Sequence, residues 1–194
     1  MLIDLLVASP WLVALLWAVL SIFDFSATML FSKMYRDFLS NTVHYERGVE
    51  MNPRFEKDVQ QVKWFNPRYI FLMLGFTLLL GIIGSWFPPK FFELVAGTAL
   101  LLLLVVDFRH IENLSLAWFL KSDPDGIKGK IEQSYKMSQQ RVAVYTFNAG
   151  ALYLIVFLLT GRVFFLGGTI VSVLLSLRQF LLSRKKLPKQ SSVQ

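Results

Sequence analysis

The stretch FFELVAGTALLLLLVVD, residues 91–107, decides the fold. A bilayer core about 30 Å thick takes roughly 20 mostly apolar residues per α-helix. The solid block Leu100–Leu104 leaves such a helix no polar face to show to water. Four further stretches repeat the pattern. One opens at Pro10, a favourable first-turn proline, and runs to about Phe31; another opens at Asn66-Pro67 and stops at Pro88-Pro89. The sequence thus predicts membrane helices at 10–31, 66–87, 91–111, 141–160 and 163–183, an all-α five-helix transmembrane bundle in one domain over 1–184.

Composition agrees with that reading. Of 194 residues 55% are hydrophobic and only 17% charged, where a soluble domain carries about 25% charged residues. The long apolar blocks exclude a soluble enzyme, a disordered chain and a nucleic-acid module, despite a net charge of +7. With no cysteine there is no disulfide framework, thiolate chemistry or zinc ribbon. The first residues have no basic n-region and no small-residue cleavage site, and Asp4 fits an uncleaved first helix better than a signal peptide.

Basic residues set the expected orientation. Lys90 and Arg162 are the only lysine or arginine on one side of the predicted bundle; all the others lie in the two long connections or at the C-terminal end. The N-terminus is therefore expected outside and the C-terminus in the cytoplasm, in a multi-pass protein of the plasma (cytoplasmic, inner) membrane. Contact with the bilayer and its anionic headgroups accounts for the basic charge without a nucleic-acid partner. The connections between helices two and three and between four and five are short, so each pair is an antiparallel hairpin.

The long connections carry structure of their own. Asn52-Pro53 is a helix start, and Phe55, Val59 and Val62 recur at helical spacing, so an amphipathic helix is expected over about 53–64. Ser122-Asp123-Pro124-Asp125-Gly126 is a second start, after which Ile127, Ile131 and Tyr135 predict an extension of helix four over about 124–140. Residues 185–194 read as a disordered basic tail. Gly97-Thr98 and Gly168-Thr169 hold corresponding places in two helices, a repeat that chance explains.

Ionisable groups at membrane depth cost roughly 2.5–3.5 kcal/mol each on insertion scales, so they need reasons. Asp24 lies about 13 Å along its helix from Lys33 at 1.5 Å per residue, with Thr28 on the same face. Asp107, His110 and Asn113 share a face of helix three. Arg141, Tyr145 and Asn148 form a stripe on helix four. Asp24, Thr28, Asp107, His110, Asn113, Tyr145 and Asn148 are therefore expected to line a polar pocket open to the cytoplasm, with Glu50 and Asn52 at its lid. A hydrogen bond from His110 to Asp24 or Asp107 is one expectation; Asp107 and His110 as metal ligands is a weaker one. Arg178 and Arg141 are candidate ion-pair partners, although Arg178 also has the length to snorkel to headgroups. Ser172-x3-Ser176 has small-x3-small spacing, whose default meaning is close packing.

Asp24-x3-Thr28 followed by Glu50-x-Asn52-Pro53 resembles a pattern found in an uncharacterised family of small bacterial and archaeal membrane proteins, over the first third of the chain. The resemblance implies a membrane location and no particular activity. The residues themselves leave three functions open: ion, proton or small-solute binding and translocation in an oligomer or with a partner protein; a non-catalytic assembly, sensor or lipid-binding module; and an enzyme acting on a lipid or peptide. No nucleophile elbow, zinc-protease motif or phosphate loop supports the last, and the sequence names no cofactor.

Overall fold

Proline supplies the first turn of three long helices, where its missing N–H costs nothing. The computed structural model describes residues 1–46, 55–123, 126 and 129–184. In chain order its helices are α1 (Leu2–Ala8), α2 (Pro10–Asp37), α3 (Glu56–Gln60), α4 (Pro67–Trp86), α5 (Pro89–Ser122), α6 (Tyr135–Thr160) and α7 (Val163–Ser183). Two short strands, β1 (Val43–Tyr45) and β2 (Ile131–Gln133), complete it, with a 3-10 turn at Leu39–Asn41. Five of the helices, α2, α4, α5, α6 and α7, are long and apolar enough to cross a bilayer, as in a multi-pass membrane protein.

The helices pack in the order α4–α2–α5–α7–α6, so α5 is central and α4 and α6 form the flanks. Burial follows: 44% of the apolar window of α5 is buried, against 11% for α4. One core joins Leu6, Val13, Phe92, Ala96, Leu100, Leu101 and Phe164 near the start of α5. A second lies where α2 and α5 run on past their apolar stretches, and gathers Phe31, Leu39, Val43 and Ala117. Between α5 and α7 the backbones themselves touch. A Cβ on Gly97 would collide with the Phe164 carbonyl, and one on Gly167 with the Leu94 carbonyl. Ser172 is fully buried, and the Ser176 hydroxyl donates to the Ala143 carbonyl at 2.7 Å, so this spacing serves close packing of α7 on α6.

Four elements differ from the sequence expectation. Helix one ends at Asp37 rather than 31 and helix three at Ser122 rather than 111, because Met34, Tyr35, Leu114 and Leu120 extend the second core beyond the apolar blocks. The expected amphipathic helix reduces, among the described residues, to α3, closed by Val62 at φ +51°. The Asn52-Pro53 start lies outside the described residues. The continuous extension of helix four does not form. Gly129 adopts φ +97°, Ile131–Gln133 pair in parallel with Val43–Tyr45, and Ser134 starts α6 by accepting the Met137 N–H at 3.2 Å. The 185–194 tail also lies outside the described residues.

Candidate functional site

The polar residues of α2, α4 and α5 meet where these three helices pass one another. Ser21, Asp24 and Thr28 lie along one face of α2, and Asp107 and His110 are one turn apart on α5. The Nε2 atom of His110 stands 3.0 Å from Asp24 Oδ1 and 3.3 Å from Thr28 Oγ1. Both side chains of the Asp24–His110 pair are largely enclosed, at 22% and 12% exposure. When Nε2 carries hydrogen it donates to the carboxylate; when it does not, the threonine hydroxyl can donate to the same nitrogen. In the second state Asp24 Oδ1, 3.0 Å from the bare nitrogen, must itself carry a proton.

Asp107 is buried, at 4% exposure, and neither of its carboxylate oxygens has a hydrogen-bond partner among the described residues. It lies within electrostatic reach of Asp24 and of Tyr69. Tyr69, in the first turn of α4, donates its hydroxyl to the Ser21 carbonyl at 2.5 Å and stacks on Phe25 with ring centres 4.6 Å apart. Tyr69 is itself fixed by the helix cap, since its N–H reaches Asn66 Oδ1 at 3.2 Å and the Asn66 amide donates to Asp58 at 3.0 Å. The Ser32 hydroxyl donates to the Val59 carbonyl at 2.7 Å, which holds α3 against α2 on the same side. A lone buried carboxylate without donors costs several kcal/mol, so Asp107 calls for a proton, a cation or an ordered water.

Not every expected residue is hydrogen-bonded to the Asp24–His110 pair among the described residues. Asn113 and Tyr145 are half-buried, and Asn148 is exposed on the outer side of α6. Arg141 pairs with Glu112 at 2.9 Å on the surface rather than with either buried aspartate. Arg178 is exposed, as a snorkelling arginine is. Glu50 and Asn52 lie outside the described residues. Asp107 and His110 do not make a metal set: among the described residues no three histidine, aspartate or glutamate side chains gather to hold an ion.

Two features escaped the sequence. Tyr69 sits two residues after Pro67, where an aromatic reads as an interfacial anchor, and only its reach across to α2 reveals its place in the cluster. At the opposite end of the bundle, Arg162 donates to Glu93 at 2.9 Å and to Asp4 at 2.6 Å, and Glu93 also accepts the Phe164 N–H at 3.4 Å. Hydrogen bonds from the α-amino group and from Arg162 hold the Asp4 carboxyl at about 2. That contact ties α1 across the start of α7. Glu93, in the second turn of an apolar helix, reads in the sequence as no more than a charge near the helix start.

Near the strand pair, Ser40, Asn41, Thr42, His44, Lys130 and Glu132 line an open hollow of about 280 Å³. It is a surface feature, separate from the buried cluster. Comparison with known proteins gives no match to any family model, to any curated protein or to any solved structure.

Proposed function

We propose that this chain is a multi-pass protein of the plasma membrane that binds a small cation, the proton foremost, at the α2–α4–α5 cluster and passes it between the cluster and the cytoplasm. The observation that carries the reading is the pair of aspartates: Asp24 with His110 at 3.0 Å, and Asp107, one turn from His110 on α5, buried with no hydrogen-bond donor among the described residues. A carboxylate–imidazole pair, with a second carboxylate one helical turn from the imidazole, can exchange a proton in steps, whereas a purely structural site would satisfy each charge with a fixed partner, as Glu93 is satisfied by Arg162. The skewed distribution of lysine and arginine supports an orientation with the strand-bearing end in the cytoplasm and the α1 end outside. Five helices leave little room for a path within one copy, so translocation involves a second copy or a partner protein.

Flux into liposomes, read by an entrapped pH-sensitive dye under an imposed potential, tests this. Wild-type protein is expected to carry protons, and Asp24→Asn or Asp107→Asn to fall to the rate of protein-free liposomes. Flux unchanged by Asp24→Asn would overturn the reading. A second reading, a non-catalytic membrane module, is favoured by the folded layer of β1, β2 and α3 outside the spans. It predicts a stoichiometric partner protein and no flux at all.

A further inference from the structure

Five buried oxygen atoms on three neighbouring helices have no hydrogen-bond partner among the described residues. They are both carboxylate oxygens of Asp107 on α5, Oε1 of Gln139 on α6, and Ser172 Oγ and Gln179 Oε1 on α7. None of the four residues is more than 8% exposed. Nearby hydroxyls solve the same problem internally: Thr146 donates to the Val142 carbonyl at 2.8 Å, Ser176 to that of Ala143 at 2.7 Å and Ser183 to that of Phe180 at 2.7 Å. Carboxamide and carboxylate oxygens only accept, so a hydrogen must be brought to them.

Contacts between the helices fix the heights of these atoms. α5 and α7 run in parallel; Gly97 meets Phe164 and Leu101 meets Gly168, so positions 67 apart lie level. Ser172 is then level with Val105 and Gln179 with Glu112, which brackets Asp107 along the axis. That stretch is about 10 Å long at 1.5 Å per residue. α6 runs the other way, and Ala143 meets Ser176, so Gln139 lies level with Phe180, the neighbour of Gln179. The faces agree with the heights. At 100° per residue, Gln139 shares the side of α6 that carries Ala143 and Gly150, which touch α7, and Gln179 shares the side of α7 that carries Ser172, which touches α6. Asp107 falls between His110, which faces α2, and Gly97 and Leu101, which face α7.

We infer that α5, α6 and α7 enclose a file of water that runs from Gln139 and Gln179 to Asp107 and is the route by which a proton reaches that carboxylate. Water is the ligand the chemistry selects: it donates to every one of the five acceptors, and a buried polar site holds it with two to four partners. At about 2.8 Å per hydrogen bond, three or four waters span the stretch. Gln139 is in the second turn of α6, between half-buried Ser138 and Gln140, so the file opens at the strand-bearing end of the bundle. Asp107 thereby has the file on its α7 side and the Asp24–His110 pair on its α2 side. The route rests on the reading that Asp107 exchanges a proton; the water file does not.

The chain has no cysteine, so single cysteines report water directly. In liposomes, Gln139→Cys and Gln179→Cys are expected to react with a small charged methanethiosulfonate at least about tenfold faster than Val142→Cys, because only a hydrated thiol ionises. Val142 is equally buried on the same helix, at 4% exposure, and controls for the space that a smaller side chain leaves. Replacing both glutamines by leucine removes two unpartnered oxygens, so the variant is expected to unfold at the wild-type temperature or above while its proton flux falls at least about tenfold. The water file is overturned if both glutamine positions label no faster than Val142→Cys. The route is overturned if the double leucine variant carries protons at the wild-type rate. Fast labelling at both glutamine positions in a protein that carries no protons supports the file and removes the transport reading instead.

Discussion

Glu93 and Asp107 are buried acids on the same helix, and they meet burial in opposite ways. Glu93 accepts from the Arg162 guanidinium and from a backbone N–H, while Asp107 has neither. Removing charge at the two positions should therefore have opposite effects. Glu93→Gln weakens a charged hydrogen bond and is expected to lower stability by about 1–3 kcal/mol. Asp107→Asn removes a charge that has no partner among the described residues, so stability is expected to stay level or to rise. Thermal unfolding in detergent distinguishes them; a large loss from Asp107→Asn would mean that its carboxylate is held by protein after all. Asp24 was legible as a costly residue, and so was a bond from His110 to one of two acids, Asp24 or Asp107. What the sequence left open was which acid His110 would choose. Asp107 is three residues away on the same helix, and His110 nevertheless reaches across to α2.

Among the elements, the start of α6 illustrates where periodicity misleads. Ile127, Ile131 and Tyr135 have helical spacing, but Ile131 is committed to a strand whose partner, Val43, is remote in sequence. Local pattern carries no information about such a pairing. Glu46 then completes the junction: its carboxylate accepts the Tyr135 N–H at 2.6 Å, at the first turn of α6. Glu46→Ala is expected to cost about 1 kcal/mol, the usual worth of a helix cap. Hydrogen exchange should show it as faster exchange confined to residues 135–138, with α7 unaffected. Exchange unchanged in that turn would make Glu46 incidental. The longer reach of α2 and α5 was illegible for a different reason: once a helix leaves the hydrocarbon its residues turn polar, and an apolar-length criterion stops there while the helix continues on tertiary contacts.

At the scale of the whole molecule, the five spans were readable because bilayer thickness imposes a length that few soluble sequences imitate. The order in which they pack was not. Helices apolar on every side have no stripe to announce a neighbour, and only small or polar residues such as Gly97, Gly167 and Asp24 mark the contacts, visibly so only after folding. The resulting row places the acid–imidazole cluster between α2, α4 and α5 and the bare Asn148 face on the far flank. The central claim is that the cluster holds an exchangeable cation. Infrared difference spectra of the reconstituted protein, taken between two pH values and between two sodium concentrations, test it most directly. The account predicts carboxyl bands that change with one of these and that Asp24→Asn and Asp107→Asn each reduce; spectra without such bands, or with bands that survive both substitutions, would contradict it.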